Sequence, residues 1–314
     1  MARHDLVPAG GARGEAGRGP KVIHTRADLR DAAARRALAG VDVLFHVGFQ
    51  LWLGEGGEAA MAATNLAGTA NVLAARPRRV ILLSSAAVYG AWPDNPCPLT
   101  ESAVPRPNPE CAYAGQKLAV EEMCAQAAPT AILRVAAVLG PDADDRVRRA
   151  VQGYRWAVPA VAGVTQAVQF VHQDDVVAAC VAAWRGQGDG GTRSDVLNVA
   201  PPDWLDAPGI ATVTGGRVLR LPRVALLGGS RVAYRFGVTP FGPDRSVLLS
   251  GPLALDPARA ASTLGWRANR SSAETLASMF ARRGGGRKPA PTTEPVGRAA
   301  TPWSASPPWR RAGR

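Results

Sequence analysis

The sequence predicts an α/β protein: a doubly wound parallel sheet followed by a smaller C-terminal subdomain. Three observations carry this expectation. Short, almost wholly apolar runs recur at 41–48, 78–85 and 130–140, helix-like runs separate them, and glycines or turn residues bound them. Strands alternating with helices make βαβ units. Strands apolar along their whole length are those covered by helices on both faces.

In chain order, residues 1–20 are rich in Gly, Ala and Arg without a period and are expected to be irregular. KVIHT (21–25) reads as a short strand, and LRDAAARRALAG (29–40) as a helix stopped by Gly40. VDVLFHVG (41–48) has the pattern of a buried parallel strand, and EAAMAATNLAGTANVLAAR (58–76) that of a helix. RRVILLSS (78–85) is a second buried strand, AYAGQKLAVEEMCAQAA (112–128) a helix and TAILRVAAVLG (130–140) a further strand. Beyond 140 the pattern loosens to the strand AVQFVH (167–172), the helix DDVVAACVAAW and the strand DVLNVA. The expected divisions are an irregular 1–20, a sheet domain over 21–165, and the remaining sheet elements with a substrate-binding subdomain over 166–283. A basic tail follows over 284–314, too poor in apolar residues to offset its conformational entropy and so expected to be disordered.

Composition narrows the function. The chain has 314 residues, 46% hydrophobic and 20% charged, enough for a sizeable core. No run approaches the roughly 18 apolar residues of a membrane span, and the N-terminus lacks a signal peptide's apolar stretch. Cys97, Cys111, Cys124 and Cys180 are scattered without metal-ligand spacing, which fits reduced thiols in the cytoplasm. The net charge of +12 would suggest nucleic acid, but the tail from Arg282 carries +7 of it, so the folded part is only mildly basic. Neither nucleic acid nor membrane is the expected partner; a small molecule is.

Ligands of parallel sheets bind at the carboxyl ends of the strands. There LLSSAAVYG places two serines at the end of a buried strand, and YAGQK follows about 28 residues on. Tyr113 and Lys117, four apart on a helix, project from one face. A tyrosine of pKa near 10 is a poor base at neutral pH, and a neighbouring cation favours its phenolate. With a strand-end serine on the same substrate oxygen, such a pair can move a proton on or off a carbinol while a hydride leaves or arrives. Arg146 and Arg149, within a segment 142–168 expected to line the substrate pocket, are candidates for pairing with a phosphate.

These motifs, in this order, resemble the extended short-chain dehydrogenase/reductase superfamily, in its NAD-dependent epimerase/dehydratase branch, from about residue 21 to 282. The resemblance implies a Rossmann-like sheet, NAD or NADP as cofactor and a secondary alcohol or ketone, such as a nucleotide sugar, as substrate. It leaves room for a homodimer. It implies Ser85, Tyr113 and Lys117 as catalytic residues, with Lys117 also holding the ribose and lowering the tyrosine's pKa. ADLRD looks like the segment whose aspartate meets adenine, giving Asp28 and Leu29. VDVLFHVGF is similar to the strand and turn beside the cofactor, giving Val47, Gly48 and Phe49; the phenylalanine stands where the family usually has alanine. TNLAGTANVLAA matches a family helix, with Asn65 in a structural place. ILRVAAVLGP puts Ala136 and Val138 near the nicotinamide, although Val135 and Leu139 replace the family's proline and tyrosine. QFVHQDDVV and LALDPARAASTLGW resemble later family segments, in which His172 is expected to anchor a turn and Asp174 to cap a helix.

The family's glycine loop follows a first strand and opens a first helix. Gly11, Gly14 and Gly17 have its G-x-x-G-x-x-G spacing, but only ten residues separate Gly17 from Asp28. A βαβ unit needs about 30 residues, and Glu15 would set a negative charge in the phosphate cradle. The expectation is therefore an N-terminally truncated chain that begins after the first strand, glycine loop, first helix and second strand. The alternative to a working enzyme is a non-catalytic remnant or binding module that takes up no dinucleotide.

Overall fold

The computed structural model describes residues 4–6 (backbone only), 22–53, 56–186 and 194–281. The glycine spacing at 11–17 and the basic tail lie outside these. The elements begin with β1 (His4–Leu6), β2 (Thr25–Ala27), α1 (Ala32–Ala37) and β3 (Val43–His46). α2 (Gly57–Ala62) runs through one π-helical turn at Ala63–Ala67 into α3 (Gly68–Leu73), before β4 (Arg79–Ser85), α4 (Ala112–Ala127), β5 (Thr130–Val135) and β6 (Ala137–Leu139). Next come α5 (Asp145–Gly153), β7 (Ala157–Val161), β8 (Ala167–Val168), β9 (Phe170–His172), α6 (Gln173–Gly186) and β10 (Asp195–Val199). The last are α7 (Ala207–Thr214), β11 (Arg217–Leu221), α8 (Arg223–Arg235), α9 (Pro243–Ser246), β12 (Pro252–Leu253), α10 (Ala258–Leu264) and α11 (Ser272–Ser278).

The main sheet is parallel, in the order β10-β5-β4-β3. Its strands are buried on both faces because helices cover both. On one face Ile81, Leu133, Leu197 and Val199 pack against Val176, Ala179 and Ala183 of α6 and against Trp266. On the other, Val80, Leu82 and Ile132 meet Val120 and Cys124 of α4, Val72 and Leu73 of α3, and Leu29, Ala34 and Leu38. The period-two alternation along β4 sorts its side chains between the two layers. Each fully buried Val, Leu or Ile contributes about 1.5–3 kcal/mol. Helix α3 approaches the 28–29 segment so closely that a Cβ on Gly68 would lie 2.9 Å from the Leu29 Cβ.

Several elements depart from the sequence-based expectation. Within the supposedly irregular 1–20, His4–Leu6 pairs antiparallel with β2, since backbone pairing requires no apolar pattern. The strand expected at 21–25 forms at 25–27. The strand expected over 130–140 breaks at Ala136: β5 stays in the main sheet while β6 leaves to pair with β9. AVQFVH also breaks, at Gln169. Its buried side-chain amide donates to Pro201 O and Leu255 O and accepts from Leu255 N, which takes this residue out of a regular ladder. The C-terminal elements make small parallel ribbons, β6–β9, β7–β11 and β8–β12.

Candidate active site

The site forms where the carboxyl end of β4 meets the first turns of α4. Successive strand residues face opposite ways, and the two serines divide accordingly. Ser84 is buried and its hydroxyl donates to Glu121 Oε1 at 2.5 Å. Ser85 accepts from Ala87 N at 3.2 Å and is hydrogen-bonded to the Tyr113 phenol. Ser85 is thus the serine brought to Tyr113, as expected. The chain then turns at Gly90, φ +67°, where a Cβ would strike Arg106 O and the Trp92 indole.

Tyr113, Lys117 and Glu121 lie at i, i+4 and i+8 and are all buried on α4. The Lys117 ammonium donates to Leu83 O at 2.7 Å and lies 3.9 Å from the centroid of the Phe49 ring. Phe49 in turn meets Tyr113 edge-on, with ring centroids 5.5 Å apart. Burial pulls Lys117 down to about 7, against the nearby Cys124 thiol and the Glu121 carboxylate, which favour its charge. Glu121 is also held by Arg134, Nη2 to Oε2 at 2.7 Å, and the Arg134 guanidinium lies 4.8 Å from the Tyr89 ring centroid.

One expectation is corrected here. Burial pushes the Tyr113 phenol above its ordinary value, and the cation that opposes this is Arg245 rather than Lys117. The Arg245 guanidinium carbon sits 4.1 Å from the Tyr113 ring centroid and 5.3 Å from that of Trp52. Its Nη2 donates to Leu51 O, and its Nε lies 3.5 Å from Asp244 Oδ2. Arg146 stands 5.4 Å from the Trp52 centroid, and Phe241 stacks on Trp52 at 5.6 Å. Arg245, Trp52 and Phe241 were not singled out from the sequence, and no motif marks them. Glu121 had a signal: it continues the four-residue spacing of Tyr113 and Lys117. The structural place expected for Asn65 is filled. It bonds both backbone groups of Gln50 and donates to Gln116 Oε1 at 2.8 Å, fixing the turn after β3 to α4.

The other expected residues are placed as follows. Val47 and Val138 are exposed apolar side chains just beyond β3 and within β6, with Gly48 half-buried; Ala136 is buried. The Asp28 carboxylate is forked by Arg30, at 2.9 and 2.7 Å. The Leu29 side chain is in the core and its carbonyl accepts from Asn71 Nδ2, so that side chain cannot line a ligand surface. His172 and its neighbours are structural. Its Nδ1 accepts from Asp174 N at 3.2 Å, so the imidazole rather than the Asp174 carboxylate takes up that helix N–H. Asp175 Oδ1 accepts from both nitrogens of Asn269.

The nicotinamide–ribose end of a dinucleotide fits these residues. Lys117 offers a buried ammonium with three donors, Tyr113 and Ser85 stand beside it, and Val47 and Val138 supply an apolar surface at the carboxyl edge of the sheet. The fit requires the Phe49 ring to turn off Lys117.

A family model, described as NAD dependent epimerase/dehydratase family, matches residues 7–200. The chain belongs to the NAD dependent epimerase/dehydratase family. Protein y4nG of Sinorhizobium fredii is 28% identical over 273 residues, which are 79% of this chain and 64% of that protein. The chain therefore spans less than two thirds of that relative's length. Two solved structures share the fold of this family member. MoeE5 in complex with UDP-glucose and NAD has a TM-score of 0.62 at 22% identity, covering 82% of this chain and 83% of its own. UDP-glucuronic acid 4-epimerase from Bacillus cereus in complex with NAD has a TM-score of 0.58 at 17% identity, covering 80% and 77%. Among the described residues, no helix is long and apolar enough to cross a membrane.

Proposed function

We propose that the chain acts on a secondary alcohol or ketone of a nucleotide sugar as an NAD- or NADP-dependent epimerase, dehydratase or reductase. The observation that carries this reading is the hydrogen-bonded Ser85–Tyr113 pair at the carboxyl end of β4, with the Lys117 ammonium one turn along the same helix. A bound nicotinamide supplies the hydride acceptor or donor. Tyr113 takes the carbinol proton as phenolate or returns it as phenol, and Ser85 holds the same substrate oxygen by a hydrogen bond. Lys117 binds the ribose hydroxyls once Phe49 has turned away. Arg245 and Arg146, flanking Trp52, offer charge and an aromatic face to a nucleoside diphosphate. The neighbours' printed ligands, UDP-glucose and NAD, support this substrate class.

The test is turnover of UDP-sugars with added NAD⁺ or NADP⁺, followed by chromatography. Tyr113→Phe is expected to abolish turnover while sparing dinucleotide binding. Unchanged turnover in Tyr113→Phe would refute the assignment. The packing of Phe49 over Lys117 favours a second reading, a binding module that takes up no dinucleotide. Its signature is the absence of both binding and turnover in a folded sample.

A further inference from the structure

We infer that Arg245, approaching from outside the sheet, is the positioning residue that sets the acidity of Tyr113, while Lys117 serves the ribose. The role in catalysis rests on the function proposed above; the electrostatic claim does not.

Geometry separates the two cations. Both lie close to Tyr113, but their contacts differ. The Lys117 Nζ is committed to Leu83 O, with the Phe49 ring over its ammonium, and that ring also stands edge-on to Tyr113. The Arg245 guanidinium instead lies over the tyrosine ring itself, 4.1 Å from its centroid. It is held there on several sides: by Leu51 O, by Asp244, by Trp52, and by its position just after α9 begins. An arginine stays charged across the whole working pH range. A lysine held near 7 is half discharged at neutral pH and is an unreliable source of field. The groups facing Tyr113 are therefore Arg245, with Asp244 as its counter-charge, the Ser85 hydroxyl, the Cys111 thiol, and Lys117 on its own helix.

A cation 4–6 Å from a phenol lowers its pKa by about 1–3 units. The expected consequence is measurable without turnover. The chain has four tyrosines. Replacing all of them by 3-fluorotyrosine makes the phenols more acidic and gives resolvable ¹⁹F resonances, and Tyr113→Phe identifies the one of interest. In Arg245→Gln the Tyr113 midpoint is expected to rise by about one unit or more, and in Arg245→Lys to return toward the parent value. In Lys117→Met it is expected to move less than in Arg245→Gln. An unmoved midpoint in Arg245→Gln, or a rise in Lys117→Met as large or larger, would overturn the inference. Should Arg245→Gln not fold, Asp244→Asn carries the test. Loss of the counter-charge should lower the midpoint, and an unchanged value would refute the role. Failure of the functional reading shows separately, as a chain whose Tyr113 responds to Arg245 but which turns over no UDP-sugar.

Discussion

Lys117→Met should stabilise the protein at acid pH and lose that advantage as the pH rises. Lys117 is buried, and burial lowers it from 10.5 to about 7. The sign follows from linkage. Below pH 7 the ammonium is protonated in both folded and unfolded chains, and the full cost of burying it is present. Between 7 and 10.5 the unfolded chain binds a proton that the folded chain does not, so stability rises with pH. Each unit in that window is worth about 1.4 kcal/mol. From pH 6 to 8.5 the parent should gain about 2 kcal/mol relative to Lys117→Met. The window stops there because Cys124, raised to about 12, and Cys180, raised to about 11, contribute the opposite slope at higher pH. His172, lowered by burial, adds a small rise near pH 6. Both effects are common to the two proteins and cancel in the difference. The assay is urea denaturation of both at pH 6, 7 and 8.5. Parallel curves would refute the reasoning, because they would mean that Lys117 is as charged when folded as when unfolded.

Other outcomes follow from single contacts. Arg134→Ala leaves the buried Glu121 carboxylate without its ion partner, and a loss of about 3–5 kcal/mol in denaturant unfolding is expected, with Glu121→Met/Arg134→Met recovering most of it. Phe49→Ala removes a ring that must leave Lys117 before ribose can bind, and should tighten the dinucleotide Kd about 10-fold in a fluorescence titration. Asn65→Ala unties Gln50 from Gln116 and should cost about 1–3 kcal/mol, read in the same unfolding assay.

The sheet was legible because apolar runs such as ILLSS and TAILRV can only be buried between helix layers, and the helix faces could be read from spacing. Tyr113, Lys117 and Ser85 were legible for the same reason: their separation along one helix and one strand end fixes where they meet. Strand breaks at Ala136 and Gln169 were not, since they depend on which distant backbone groups a residue finds, Val199 O for one and Leu255 for the other. Arg245 was invisible because it reaches Tyr113 across 132 positions of sequence from a short helix with no motif. The role given to Lys117 followed from its spacing alone. Its burial under Phe49 depends on a turn that only the fold brings close.

The measurement that bears most directly on the central claim is a titration of NADH and NADPH into the purified chain, followed by energy transfer from tryptophan and by calorimetry. Saturable binding to at least one of them, weakened at least about 10-fold in Lys117→Met, is the predicted result. A folded chain that binds neither would contradict the account, because Ser85, Tyr113 and Lys117 would then have no cofactor to serve.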